Sequence, residues 1–156
     1  MIEVSLPEKE RADASSPRTA IWRLWNLPKI IDARGNLSFI EGNNHIPFEI
    51  ARVYYIYDVP SGSTRAGHAH RRLHQLFLAL SGSFTVYLDN GKQKEKINLN
   101  LPNVGLYVPP GAWRVIDDFS GGAVMLVLAS APYDESDYIR SYDDFLQYVR
   151  ASSTLA

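Results

Sequence analysis

His68 and His70, in the run Arg65-Ala66-Gly67-His68-Ala69-His70, are the residues of this chain best suited to chemistry. Side chains alternate faces along an extended strand, so two imidazoles two positions apart project to the same side. Such a pair can hold a metal, or it can serve as acid and base, because an imidazole with an unperturbed pKa of about 6.5 takes up and returns a proton near neutrality. Arg65, Arg71 and Arg72 border the pair, and another extended segment carries Arg52, Tyr54, Tyr55 and Tyr57. A lone histidine would be read as a hydrogen-bonded core residue. Two on one face, flanked by guanidinium and phenol groups, are read as a ligand site.

The elements that must position these residues are short. Residues 1–20 are polar, carry two prolines and lack periodicity, which reads as a flexible tail. A single domain then spans 21–150, with 151–156 as a C-terminal tail. Within the domain, segments rich in Val, Ile, Tyr and Phe alternate with Gly, Pro, Asn and Asp. They fall at 20–27, 37–41, 51–59, 75–81, 83–89, 95–99, 105–108, 114–118 and 123–130. Asp89-Asn90-Gly91 marks a hairpin turn. Closely spaced strands without intervening helices predict an all-β sandwich or barrel. Helical spacing is confined to 141–150, where Tyr142, Phe145, Leu146 and Val149 form one stripe behind Asp143 and Asp144.

Charge and composition remove several function classes. Lys+Arg 16 against Asp+Glu 17 gives a net charge of -1, so no overall field favours nucleic acid or an anionic membrane, and an anionic ligand must be met locally. The 156 residues include no cysteine, which excludes disulfides and thiolate chemistry. No apolar run has the length of a membrane span, and the charged residues Glu3, Glu8, Lys9, Glu10 and Asp13 are unlike a signal peptide, so a cytoplasmic protein is expected.

Gly62, five further residues and His68-Ala69-His70 resemble the opening of the first cupin motif, and Pro109-Pro110-Gly111-Ala112-Trp113-Arg114 resembles the second. The resemblance implies a cupin double-stranded β-helix, a small antiparallel jelly-roll barrel, here with one short C-terminal helix. Metal-binding cupins carry a Glu where this chain has His74 or Gln75, and a His where it has Arg114. A guanidinium has no lone pair to donate and repels a cation. No metal is therefore expected, although His74 could in principle stand in for the Glu.

A denser resemblance runs from Ile30 onward. Asp32-Ala33-Arg34-Gly35-Asn36-Leu37, Arg52-Val53-Tyr54-Tyr55-Ile56-Tyr57-Asp58-Val59-Pro60, Gly67-His68-Ala69-His70, Gly105-Leu106-Tyr107-Val108-Pro109-Pro110-Gly111-Ala112-Trp113 and Tyr133-Asp134-Glu135-Ser136-Asp137-Tyr138-Ile139-Arg140 are similar to the sugar nucleotide 3,4-ketoisomerases. That family implies a cofactor-free reaction on a dTDP-linked 4-keto-6-deoxyhexose, in which the ketone moves from C4 to C3 through an enediolate. By position His68 and His70 become the acid and base groups. His68 is favoured for the carbon proton and His70 for transfer between oxygens. Tyr55 is chosen as the tyrosine near the sugar, with Tyr54 and Tyr57 as neighbours that could be confused with it.

Arg34, Arg52, Arg65 and Arg114 fall within the matching stretches or beside them and are candidates for the diphosphate or the enediolate, since a guanidinium fork matches such oxygens. Arg71 and Arg72 are read as surface ion pairs. Members giving an axial C4 hydroxyl are similar to this chain at Arg34 but carry His at the position of Arg114; those giving the equatorial epimer carry Tyr and Arg. The resemblance leaves the product configuration open. Alternatives are a deoxysugar nucleotide epimerase, expected to use one His paired with an Asp and a tyrosine acid, and a non-catalytic sugar-nucleotide-binding cupin. The family also implies a homodimer with exchanged N-terminal strands, to which the apolar run Ile21-Trp22-Arg23-Leu24-Trp25 lends weight.

Overall fold

The computed structural model describes residues 21–154, and the tail expected over 1–20 lies outside them. The strands are β1 (Arg23–Asn26), β2 (Lys29–Asp32), β3 (Gly35–Ser38), β4 (Arg52–Ile56), β5 (Arg65–His70), β6 (Gln75–Ser81), β7 (Phe84–Asp89), β8 (Lys94–Leu99), β9 (Val104–Val108), β10 (Trp113–Asp117), β11 (Val124–Ala129) and β12 (Tyr138–Ile139). A 3-10 turn over Glu135–Asp137 precedes β12, and the helix α1 covers Tyr142–Thr154. Two five-stranded sheets, ordered β1-β9-β6-β11-β4 and β12-β5-β10-β7-β8, face each other, and β2 and β3 form a separate hairpin. All ladders between the named strands are antiparallel. The all-β jelly-roll expected from the sequence is the fold observed. None of its helices among the described residues is long and apolar enough to cross a membrane.

β6 shows how sequence becomes position. It lies in the middle of its sheet with apolar cover on both faces, which is why Gln75-Leu76-Phe77-Leu78-Ala79 is nearly continuous in apolar character. Phe77 and Ala79 enter the core between the sheets with Phe84, Val86 and Ile116. Leu76 and Leu78 face outward and are sealed by Leu27, just after β1, and by Ile46 and Phe48 from the long connection after β3. On the outer side of the other sheet, α1 sets Phe145 against Ala69 and Ile139. Full burial of one such ring stabilises the domain by about 1.5–3 kcal/mol. These two clusters cover the outer faces of the sheets at β6 and β5.

Two details differ from the sequence reading, and one pairing bears on assembly. The strand expected at 37–41 is the second arm of the hairpin β2–β3, closed at Gly35, whose φ of +128° suits only glycine. The helix runs through Thr154 rather than stopping at Arg150, so residues 151–154 are not a tail. Nothing there breaks it, and the hydroxyls of Ser152, Ser153 and Thr154 donate to carbonyls four residues back at 2.9, 2.9 and 3.0 Å. The N-terminal strand β1 pairs with β9 of the same chain, Arg23 opposite Tyr107, at the edge of its sheet. The turn between β7 and β8 follows the expectation, with Asp89 and Asn90 side chains accepting the amides of Gly91, Lys92 and Gln93.

Candidate active site

The open end of the sandwich encloses a cavity of about 490 Å³. Phe77, Ile116 and Met125 make its apolar depth, and polar side chains from β4, β5, β6 and β10 line its walls. His68 and His70 share one face of β5 as the two-residue spacing requires, with ring centroids 4.9 Å apart and planes nearly perpendicular at 88°. Arg114, directly across the ladder from His68 in β10, faces the same interior. The turn after Pro109-Pro110 aims it there: Gly111, at φ +74°, donates its amide to the His70 carbonyl at 2.8 Å, tying the turn to the histidine strand.

Between Arg114 and Val115 the register with β5 slips, because Ala66 and Gly67 both have positive φ, +67° and +80°. A bulge of this kind re-aims the following side chains. The glycine suits it, but Ala66 holds a conformation that costs a residue with a Cβ roughly 1–2 kcal/mol.

Electrostatics of the cavity follow from burial. Arg114 is 1% exposed and none of its three guanidinium nitrogens has a hydrogen-bond partner in the protein. Burial lowers it from 12.5 to about 10, against the opposing pull of Tyr54, Tyr138 and Asp137. His68 is pushed down to about 3 by burial first, then by Arg114 and His70. His70 is likewise held at about 3 by burial, Arg114 and Arg52, even though the Asp137 carboxylate lies 3.1 Å from its Nδ1. Both rings are thus neutral at physiological pH and keep a lone pair for a proton.

The candidate residues divide. His68, Arg52, Arg65 and Arg114 line the cavity, and His70 lies beside His68 with its Nε2 buried and unpartnered. Arg52 leans on the rings of Tyr54 and Tyr133, 5.4 and 5.7 Å from its guanidinium carbon. Tyr55 must be corrected. Alternation along β4 turns Arg52, Tyr54 and Ile56 inward and leaves Tyr55 62% exposed on the outer face beside Tyr57. Tyr54 is the tyrosine inside: its hydroxyl accepts from Gln75 Nε2 at 2.9 Å, leaving its own hydrogen free for a ligand, and burial raises its pKa. Arg34 is also not in this cavity. It sits on the β2–β3 hairpin, 90% exposed, with Nη2 2.7 Å from Asp32.

Other residues fall where chemistry is absent. His74 points to the opposite face of its sheet, bonded through Nδ1 to the Tyr107 hydroxyl at 2.7 Å and near Phe48, so it cannot complete a metal set with His68 and His70. Among the described residues no three His, Cys, Asp or Glu side chains converge on a cation site. Arg72 pairs with Asp134 at 3.1 Å, a surface ion pair as expected. Trp113 packs against Phe145 of α1, and Tyr107 against Trp25, so neither forms a stacking wall of the cavity.

Three site residues escaped the sequence reading. Asp137 Oδ2 lies 3.1 Å from His70 Nδ1; Tyr138 places its ring 4.3 Å from His70 and 4.9 Å from His68; Arg140 lies over Tyr138 at 4.2 Å, held by Glu135 at 2.6 and 2.8 Å. The signal for them was present only as part of a matching stretch. Their contact with β5 depends on the β12 pairing, Tyr138 opposite His70, which no local pattern announces.

Comparison with known proteins supplies the family. The model of the FdtA family (WxcM-like, C-terminal) matches residues 21–150. A TDP-4-oxo-6-deoxy-alpha-D-glucose-3,4-oxoisomerase from Aneurinibacillus thermoaerophilus is 52% identical over 124 residues, 80% of this chain and 89% of that protein. The crystal structure of a His-to-Asn mutant of the 3,4-ketoisomerase QdtA from Thermoanaerobacterium thermosaccharolyticum, in complex with TDP-4-keto-6-deoxyglucose, matches with a TM-score of 0.82 and 44% identity over 83% of this chain and 94% of that one. The TDP-quinovose 3,4-ketoisomerase WlaRB from Campylobacter jejuni matches with a TM-score of 0.78 and 48% identity, covering 81% and 97% of the two chains.

Proposed function

The chain belongs to the FdtA family of sugar nucleotide 3,4-ketoisomerases, and on that premise we propose the reaction and the part each side chain takes in it. The protein is an isomerase that moves the keto group of TDP-4-keto-6-deoxyglucose from C4 to C3. The observation that carries the residue assignment is the pair of neutral imidazoles on one face of β5, facing a buried guanidinium across the ladder.

The carbonyl at C4 acidifies the hydrogen on C3. His68 takes that proton, and the electron pair of the broken C–H bond passes into an enediolate spanning C3 and C4. His70 takes the proton from the C3 oxygen and delivers it to the C4 oxygen, while His68 returns its proton to C4. The product has a ketone at C3, no electron is gained or lost, and both imidazoles end neutral. Arg114, buried and without a protein partner, is the group positioned to stabilise the enediolate charge. Tyr54 replaces Tyr55 as the phenol at the sugar. Arg52 and Arg65, with Arg140, offer guanidinium groups at the cavity wall for the diphosphate.

Arg34 reaches a ligand only across a subunit boundary. We assign the protein as a cytoplasmic homodimer that exchanges β1, so that the β1–β9 pairing forms between chains and the neighbouring hairpin approaches the partner's cavity. Support comes from Ile21, Leu24, Ile31 and Leu37, each more than half exposed on one chain.

Incubation with TDP-4-keto-6-deoxyglucose in deuterated water, followed by NMR, tests the reading. A 3-keto product is expected. Exchange at C3 without migration of the ketone would mean an epimerase, and neither ketone migration nor exchange would mean a binding protein.

A further inference from the structure

The catalytic steps leave unused the buried carboxylate beside His70. The 3-10 turn over Glu135–Asp137 carries Asp137 beneath the end of β5, where it is 6% exposed. Its Oδ1 accepts the amide of Arg72 at 2.8 Å, and its Oδ2 accepts the amide of Leu73 at 3.2 Å and meets His70 Nδ1 at 3.1 Å. Both oxygens already accept backbone N–H groups, so the carboxyl group faces His70 Nδ1 as an acceptor. The hydrogen of the His70 ring is therefore on Nδ1, and the lone pair is on Nε2. That nitrogen is buried, has no protein partner, and belongs to the ring set edge-on to His68 and tilted against Tyr138.

We propose that Asp137 is a positioning residue that fixes His70 as the Nδ1–H tautomer and so makes its Nε2 the acceptor for the sugar hydroxyl proton. This rests on the isomerase reading and deepens it. In the step assigned to His70, the O–H bond at C3 breaks and Nε2–H forms, and the pair left on oxygen becomes the new carbonyl as C4 is protonated. Nε2–H then breaks as O–H forms at C4. During the interval the ring is an imidazolium whose charge is balanced by Asp137, which offsets the repulsion from Arg114. An imidazole free to hold its hydrogen on Nε2 would offer the C3 hydroxyl no lone pair.

A purely structural role for Asp137, holding the turn after β5 through Arg72 and Leu73, would not govern the tautomer. The test pairs kinetics with two-bond proton–nitrogen NMR of the histidine rings in wild type and Asp137→Asn. The wild-type spectrum is expected to show His70 protonated on Nδ1, and a wild-type Nε2–H tautomer overturns the proposal whether or not the variant folds. In Asp137→Asn the amide donates to Nδ1, so the hydrogen is expected on Nε2, with kcat reduced about 10²–10⁴-fold and KM and TDP affinity within about threefold. A variant active within about fivefold of wild type, or one whose kcat falls while His70 keeps Nδ1–H, overturns it. If wild type itself forms no 3-keto product, the isomerase reading has failed instead.

Discussion

Replacing Arg114 with Met should make the protein more stable and nearly inactive. The guanidinium is 1% exposed, with three nitrogens lacking a protein partner. Its fall from 12.5 to about 10 corresponds to roughly 3 kcal/mol of disfavoured charge, at about 1.4 kcal/mol per tenfold change in the protonation equilibrium. Unsatisfied buried donors cost about 1–3 kcal/mol each, a figure of the same size. Met has a similar reach and no polar atom to desolvate, and Phe77, Ile116 and Met125 already supply apolar surface around it. Recovery of about 1–3 kcal/mol is expected, which for a domain of this size raises Tm by about 2–12 °C. The cost falls on catalysis, where loss of one such donor to a developing oxyanion lowers kcat by about 10²–10³. Thermal unfolding and turnover of TDP-4-keto-6-deoxyglucose on the same preparations check both halves. An Arg114→Met protein less stable than wild type, or active within tenfold of it, refutes the reasoning that this charge is kept for chemistry at the expense of the fold.

The neutral histidines predict an acid-sensitive fold. With folded values of about 3 against about 6.5 unfolded, the unfolded chain binds more protons between those pH values, so stability is complete above pH 6.5 and falls as pH drops towards 3. Urea unfolding should show a loss of up to about 2 kcal/mol per histidine from pH 7 to 5, less for the partly exposed His68, and His68→Asn should flatten the dependence. The same values put the acid limb of kcat/KM below pH 5; a limb at 6 to 7 would contradict them. Tyr54→Phe should lower kcat about 10²-fold or more while Tyr55→Phe stays within twofold, as steady-state assays of the two would show. Ala66→Gly relieves the φ of +67° and should raise the unfolding free energy measured in urea by up to about 1 kcal/mol, an unchanged or lowered value counting against strain at this bulge.

What the sequence disclosed was what periodicity can carry. The shared face of His68 and His70 is fixed by a spacing of two, and Pro109-Pro110-Gly111 sets the turn that aims Arg114. The same alternation separates Tyr54 from Tyr55, but three tyrosines in six residues give no sign of which parity faces inward until β11 and the core are in place. Asp137, Tyr138 and Arg140 were hidden for a different reason. They join the site through a two-residue strand and a 3-10 turn, elements too short to leave a pattern, whose placement depends on pairing across 67 residues of chain. Arg34 shows the limit from the other side: its ion pair with Asp32 is local and legible, while its distance from the cavity is a property of the fold.

Proton transfer by the β5 imidazoles is tested most directly by His68→Asn, which removes the basic lone pair while keeping the size and polarity of the side chain. Turnover of TDP-4-keto-6-deoxyglucose and affinity for TDP are measured on the same protein. The account predicts TDP affinity within threefold of wild type and turnover reduced by at least about 10². A variant that binds TDP and still forms the 3-keto sugar at more than a tenth of the wild-type rate would contradict it.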